Sequence, residues 1–243
     1  MAQSYFIWKN ADCRSKGVIM RGPAPIIRAE ERVKHVEIPG RSGDLTETEG
    51  EEEEKIYNSY IQTVEISVRG AFRVREIYKW LRGAGYVTFS GEPDRRQKAR
   101  VIGAITLDRV SRNIDHWAGT VQFYCQPLKE KLQEETVTIT SSGTNVQNAG
   151  DERAKPKIKM TAGGTYALVT AGGNSIAITS LTSGHIYEID SETCEVIDVT
   201  TPTSPVNCTN QSTGNFPVLK PGANSVTGSG WSQLVINKRE RFL

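Results

Sequence analysis

The side chains that do chemistry are few and scattered. His35, His116 and His185 stand far apart, none beside a second ligand at HxH or HxxxH spacing. That spacing supports neither a metal site nor a histidine relay to a nucleophile, and each reads as an exposed or internally satisfied side chain. Ser42, in the run Gly40-Arg41-Ser42-Gly43-Asp44, faintly resembles a nucleophile elbow. That elbow needs glycines two residues to either side of the serine at a strand-to-helix turn, and here the second glycine is adjacent and an acidic stretch follows. Residues 47–54 hold six glutamates in eight positions, and paired carboxylates are the tools of glycoside hydrolysis. Such a pair needs two fixed carboxyls about 5–9 Å apart, one with its pKa raised, and so polar a stretch fixes neither. It reads as a solvated loop, or as an electrostatic contact to a basic surface of another subunit. Cys13, Cys125, Cys194 and Cys208 form no CxxC pair, so they read as free, buried or half-buried thiols instead of a disulfide framework or zinc knuckle. No catalytic, cofactor-binding or metal-binding residue is expected.

A basic surface to receive that acid is present in the chain. Arg95, Arg96, Lys98 and Arg100 fall at and just past the expected tip of a hairpin, where like charges repel unless solvated or met by acid. If copies close into a ring, Glu51, Glu52, Glu53 and Glu54 of one are expected to face these four residues of the next. Arg41, at the tip of the stiff turn Ile-Pro-Gly-Arg-Ser-Gly-Asp-Leu over residues 38–45, is a further candidate contact.

The elements that hold these residues are mostly strands. Residues 68–101 are the centre of the pattern: a strand end, one helix, then a hairpin. Phe72, Ile77, Tyr78 and Leu81 fall at roughly helical spacing among Arg73, Arg75, Glu76 and Lys79, predicting one apolar and one charged face. Gly83 and Gly85 are expected to end the helix. Tyr86 to Phe89 and residues 99–105 then read as paired strands. Strict alternation over residues 61–68 predicts a half-buried strand, and further strands are expected over 26–38, 102–109 and 117–125. Residues 128–135, charged and without apolar periodicity, read as a connection. Beyond it seven short strands are expected, at 137–140, 156–160, 166–170, 175–179, 185–190, 194–199 and 233–237, with hairpin turns at Gly172-Gly173 and Asp190-Ser191. The expected fold is mainly β. Residues 1–130 form a sheet domain with one covering helix, and 131–243 a β-sandwich or jelly roll.

Length and charge bound the function. A chain of 243 residues can build one large or two modest cores, and a net charge of +2 does not mark a nucleic-acid binder. No stretch approaches the roughly 18 apolar residues of a membrane span, and residues 1–9 lack the pattern of a signal peptide, so synthesis in a cytosol without membrane insertion is expected. The glycosylation patterns at Asn207 and Asn210 are then chance matches.

Several runs together resemble one family. Residues 38–45, then Val64-Glu-Ile-Ser-Val68, Trp80-Leu81, Phe89-Ser-Gly-Glu-Pro-Asp94 and Lys98-Ala-Arg-Val101 are similar to the amino-terminal half of the distal tail (Dit) proteins of long-tailed bacteriophages. Phe123-Tyr-Cys-Gln-Pro127 resembles that half's closing strand. Pro156-Lys-Ile-Lys, Ile186-Tyr-Glu-Ile-Asp190 and Phe216-Pro-Val-Leu-Lys-Pro-Gly-Ala-Asn224 resemble the carboxy-terminal half. The resemblance implies a tail-tube-like β-sandwich with a helix, six copies of which close into a ring, and a galectin-like sandwich outside it. It also implies a virion protein without enzymatic activity or cofactor, made in the host cytoplasm and partnered by the tail tube protein, the tail-tip or baseplate hub and receptor-binding proteins. DNA would meet it only in transit. The acidic run is longer than the link expected of the family at that place, and Arg239-Glu-Arg-Phe-Leu243 only approximates its usual ending. The competing expectation is a carbohydrate-binding adhesion module, which would need an exposed ring among Tyr166, Tyr187, Phe216, Trp231 and Phe242.

Overall fold

The strand Ile114–Lys131 organises the first half of the chain in the computed structural model, which describes residues 4–48, 50–51 and 54–243. One edge of this strand pairs antiparallel with Tyr60–Arg69. Its other edge takes Leu107–Ser111 along its first part and Arg95–Ile102 along its second. Ala84–Phe89, Phe6–Trp8 and Ala11–Asp12 continue the sheet on one side, and Val18–Met20 on the other. Contacts gather this half into one compact unit running to Leu132, while a second runs from Gln133 to Phe242.

Period-two alternation decides which face of the sheet is wet. In Tyr60–Arg69, Gln62, Val64, Ile66 and Val68 are buried while Ile61, Thr63 and Glu65 are exposed. In Ile114–Lys131, Val121, Phe123 and Cys125 turn inward and Gln122, Tyr124 and Gln126 outward. The Phe123 ring lies 5.5 Å from Phe6, 5.3 Å from Trp8 and 5.9 Å from Phe89, at the centre of the core. A register shift between Gln97 and Ala99 bends the sheet around it.

The helix Ala71–Trp80 covers this core, but with a different face from the one expected. Ile77 and Leu81 are buried and Val74 packs beside them, whereas Phe72 is 70% exposed and Tyr78 37%. At about 100° per residue Phe72 stands roughly 140° round from Ile77, so the two cannot share a face. Gly70 offers the helix no side-chain cap, and Asp115 supplies one from the neighbouring strand: both its carboxylate oxygens accept from the Ala71 N–H at 3.1 Å. The helix ends at Leu81, whose N–H donates to the Ile77 carbonyl. Gly83, at φ +82°, turns the chain afterwards, and Gly85 lies inside the strand Ala84–Phe89.

Two further expectations are corrected. The hairpin returns as Arg95–Ile102 and not as 99–105, so Arg95 and Arg96 stand just past the tip and all four basic residues lie within the returning strand. Residues 128–131 continue the long strand, with Gln97 opposite Lys129 and Arg96 opposite Glu130. Lys129 can be buried there because Glu92 holds its ammonium at 2.7 Å, a pairing across the sheet that no local periodicity displays.

The second unit is a β-sandwich. One sheet runs Thr136–Ile139, Trp231–Asn237, Lys157–Ala162, Ile186–Asp190, Glu195–Asp198, Val206–Asn207. The other runs Thr144–Asn148, Gly222–Ser229, Tyr166–Ala171, Asn174–Thr179, Ser212–Gly214. Ile158, Met160, Ile189, Leu234 and Ile236 from the first meet Val146, Val169, Ile176, Ile178 and Val226 from the second. All seven expected strands are present, with ends shifted by up to a few residues. Gly172-Gly173 makes the expected two-residue hairpin with both φ angles positive, +61° and +92°.

Candidate assembly surfaces

The four basic residues singled out in the first half are largely met by acid of their own unit. Arg95 pairs with Glu92 at 3.1 Å and approaches Asp94 at 3.8 Å. The Arg96 guanidinium lies 4.5 Å over the Tyr86 ring and pairs with Glu130 at 3.4 Å. Lys98 reaches the same carboxylate at 3.6 Å. Arg100 is exposed opposite Tyr124 and makes no ion pair among the described residues. Arg41 is exposed in its turn, with its N–H donating to the Ile38 carbonyl.

Part of the acidic run takes strand form, where a loop was expected. Glu47 lies in the strand Leu45–Thr48, which pairs with Val33–Val36, and Glu51 stands opposite Glu54 in a short two-stranded ladder. Glu52 and Glu53 lie outside the described residues.

The titratable groups considered for catalysis are not brought together. His35 Nδ1 lies 3.3 Å from Thr46 Oγ1, His116 is half-buried, and His185 Nδ1 stands 2.8 Å from Asp198 Oδ2. Burial alone would raise the Asp198 pKa, but hydrogen bonds from His185 and Thr200 outweigh it and hold the carboxyl below its ordinary value. Among the described residues no three His, Cys, Asp or Glu side chains are grouped to hold a metal ion. Cys13, Cys125 and Cys208 are buried and Cys194 is exposed, all free. Burial pushes Cys125 up to about 12 and Tyr60 likewise, the latter donating to Gln97 at 2.8 Å. Of the rings a sugar-binding module would use, Tyr187 and Phe242 are buried, Phe216 and Trp231 pack against the core, and Tyr166 alone is exposed.

The surface that local sequence reading undervalued is the outer side of the helix. Phe72, Arg73, Arg75 and Lys79 are all exposed there, and Arg69, at the end of the strand that leads into the helix, is exposed as well. A groove of about 560 Å³ runs between the helix and the turn Cys13–Lys16, lined by Arg14, Lys16, Arg73, Glu76 and Trp80 among others. Arg14 is held by Asp12 at 2.6 Å, and that hydrogen-bonded pairing keeps the Asp12 carboxyl below its ordinary range. The signal was present as the charged half of an amphipathic helix, which by itself means only solvent.

No model of a known protein family matches the chain, and no curated protein matches it. Solved structures do. The Dit protein of phage SPP1, described as a paradigm of the hub adsorption apparatus in phages infecting Gram-positive bacteria, superposes with a TM-score of 0.80 at 17% identity, covering 100% of both chains. The fold is that of the SPP1 Dit protein. A chain of the phage p2 baseplate, in its activated conformation with strontium, also matches over 100% of both chains, at a TM-score of 0.50 and 9% identity. The Dit resemblance read in the sequence is thus matched at the level of fold. Its motifs fall in the elements that build both units: Val64 to Val68 in Tyr60–Arg69, Phe123 to Pro127 in Ile114–Lys131, and Ile186–Asp190 in the first sheet of the sandwich.

Proposed function

We propose that this chain is a distal tail protein: a structural hub of a bacteriophage tail tip that works by assembly and not by turnover. In this reading copies close into a ring, six to a turn, that joins the tail tube to the tail-tip or baseplate hub. The first unit forms the ring as a tail-tube-like domain, and the second stands outside it as a galectin-like sandwich offering attachment for receptor-binding proteins. DNA passes through the channel without being held, in keeping with a net charge of +2, since each neutralised phosphate would add salt-sensitive affinity. The protein is made in the host cytoplasm and resides in the virion.

The observation that carries this reading is the full-length match to the Dit fold. A closed ring of head-to-tail contacts also suits a sheet with open edges, which an isolated chain would leave to aggregate. The test is the solution mass by light scattering across protein and salt concentration, with negative-stain imaging. Rings of six copies, alone or on adding the cognate tail tube protein, are the expected result. A chain that stays monomeric at every concentration and neither rings nor binds when tail tube and hub proteins are supplied would overturn it.

A further inference from the structure

The outward face of the helix Ala71–Trp80 carries positive charge that its own chain leaves unmatched. Arg69, Arg73, Arg75 and Lys79 are exposed and make no ion pair among the described residues, and Glu76 is the one acidic residue of the helix. On the hairpin strand, by contrast, Arg95 is met by Glu92 and Arg96 and Lys98 by Glu130, while Arg100 stands exposed without an ion pair among the described residues. Among the unmatched cations stands Phe72, 70% exposed, its ring 5.4 Å from the Arg73 guanidinium. Lys16 extends the charge across the adjoining groove. The Arg73 contact itself favours the ring, but the cations repel one another and the rest of the ring stays in water, and a partner that brings carboxylates and covers the ring relieves both costs. Aromatic residues and arginine are also enriched at protein interfaces.

The chain itself contains a segment of that chemistry. Residues 45–57 read LTETEGEEEEKIY, six carboxylates flanked by Leu45, Ile56 and Tyr57. Among the described residues the helix cations make no ion pair, which leaves them open to the acidic segment of another copy. The geometry points to the helix face of Phe72, Arg73, Arg75 and Lys79 as the docking surface for residues 45–57 of a second copy. Each copy then gives one acidic segment and receives another, a head-to-tail contact that propagates from copy to copy. This inference rests on the self-assembly reading only in needing a second copy, and it replaces the strand Arg95–Ile102 with the helix as the counterpart of the acidic run.

A labelled peptide of residues 45–57 tests it by fluorescence anisotropy. The receiver is the full chain carrying Glu51→Gln, Glu52→Gln, Glu53→Gln and Glu54→Gln, so that its own segment does not compete. Saturable binding is expected, weakened about tenfold or more when Arg73→Glu, Arg75→Glu and Lys79→Glu are added, since exposed pairs each contribute a few tenths to one kcal/mol. Phe72→Ala should weaken it severalfold without any change in charge, and a peptide with glutamine at every glutamate should not bind. Phe72, Arg73, Arg75 and Lys79 are exposed, and circular dichroism checks that each variant folds. No saturable binding, or binding indifferent to the triple reversal, overturns the proposal. So does a face that binds duplex DNA, loses it on the triple reversal and ignores the peptide. Light scattering on the unaltered chain separates the two readings. Peptide binding by a chain that never assembles keeps the docking surface and counts against the ring; assembly without peptide binding does the reverse.

Discussion

Phe123→Ala should unfold one half of this molecule early and leave the other untouched. The ring is wholly buried, in contact with Phe6, Trp8 and Phe89, so its removal opens a hole that three rigid neighbours cannot close. Phe-to-Ala changes in cores cost about 3–5 kcal/mol, and the poor prospect of collapse places this one at about 4. With an unfolding entropy of about 2.1 cal/mol/K per residue over roughly 130 residues, 4 kcal/mol lowers the midpoint by about 15 °C. Three of the four tryptophans, Trp8, Trp80 and Trp117, lie in the first unit and Trp231 in the second, so fluorescence follows mainly the first unit. Calorimetry follows both. The expected result is one transition lowered by about 10–15 °C and a second that stays within about 2 °C. Ile178→Ala, in the core of the sandwich, should give the mirror image. A cost below about 1 kcal/mol would refute the account of the aromatic core, which predicts several times more. Two transitions that move together would mean that the two units unfold as one.

Three further expectations concern single groups. Asp115→Ala removes the acceptor shared by the Ala71 N–H and the Trp117 indole, so amide exchange over residues 71–74 should speed up while the rest of the sheet stays protected. The Trp117 hydrogen bond, then that of Ala71, lowers the Asp115 pKa, so the cap is fully present above about pH 4 and is lost as pH falls through the lowered value. Protection in the unaltered protein should fall in that acid range, and Asp115→Asn should flatten the dependence. A thiol reagent at pH 8 should modify Cys194 alone in the native protein and all four cysteines after unfolding. Rapid reaction of Cys125, whose thiol burial pushes up to about 12, would contradict the packed core. Gly230→Ala should destabilise the sandwich by at least about 2 kcal/mol, because φ is +78° and the new methyl would lie 1.9 Å from the Tyr166 carbonyl oxygen; an unchanged second-unit transition would refute that close approach.

Alternation made most strands legible, because each has one wet face. Residues 61–68 and the short strands of the sandwich show it plainly. Gly222–Ser229, rich in glycine, serine and asparagine, and Thr144–Asn148, with Val146 as its one apolar residue, carry little strand signal; their strand form comes from pairing with each other and, for Gly222–Ser229, with Tyr166–Ala171. The helix was legible in existence and place, but not in orientation. Spacing among Phe72, Ile77, Tyr78 and Leu81 could be drawn as a face, and only the core decided for Val74, Ile77 and Leu81. Its cap was beyond local reading altogether, since Asp115 lies 44 residues away in sequence.

The charged surfaces show why proximity in sequence misleads about assembly. Four basic residues within six positions look like an unmet patch when read along the chain. In the sheet, Glu130 lies directly opposite Arg96, within reach of Lys98 as well, and Glu92 holds both Arg95 and Lys129. The patch is therefore mostly neutralised before any second copy arrives. The helix presents the opposite case: its cations are diluted in sequence by Phe72, Val74 and Ile77, so they look like an ordinary solvated face. Folding turns Val74 and Ile77 inward and leaves Arg69, Arg73, Arg75 and Lys79 exposed with Phe72, without an ion pair among the described residues. Whether a cluster of charge is available to a partner depends on which cross-strand neighbours have already met it. On that criterion the helix face is open to an acidic partner, and of the four basic residues of the hairpin strand Arg100 is open as well.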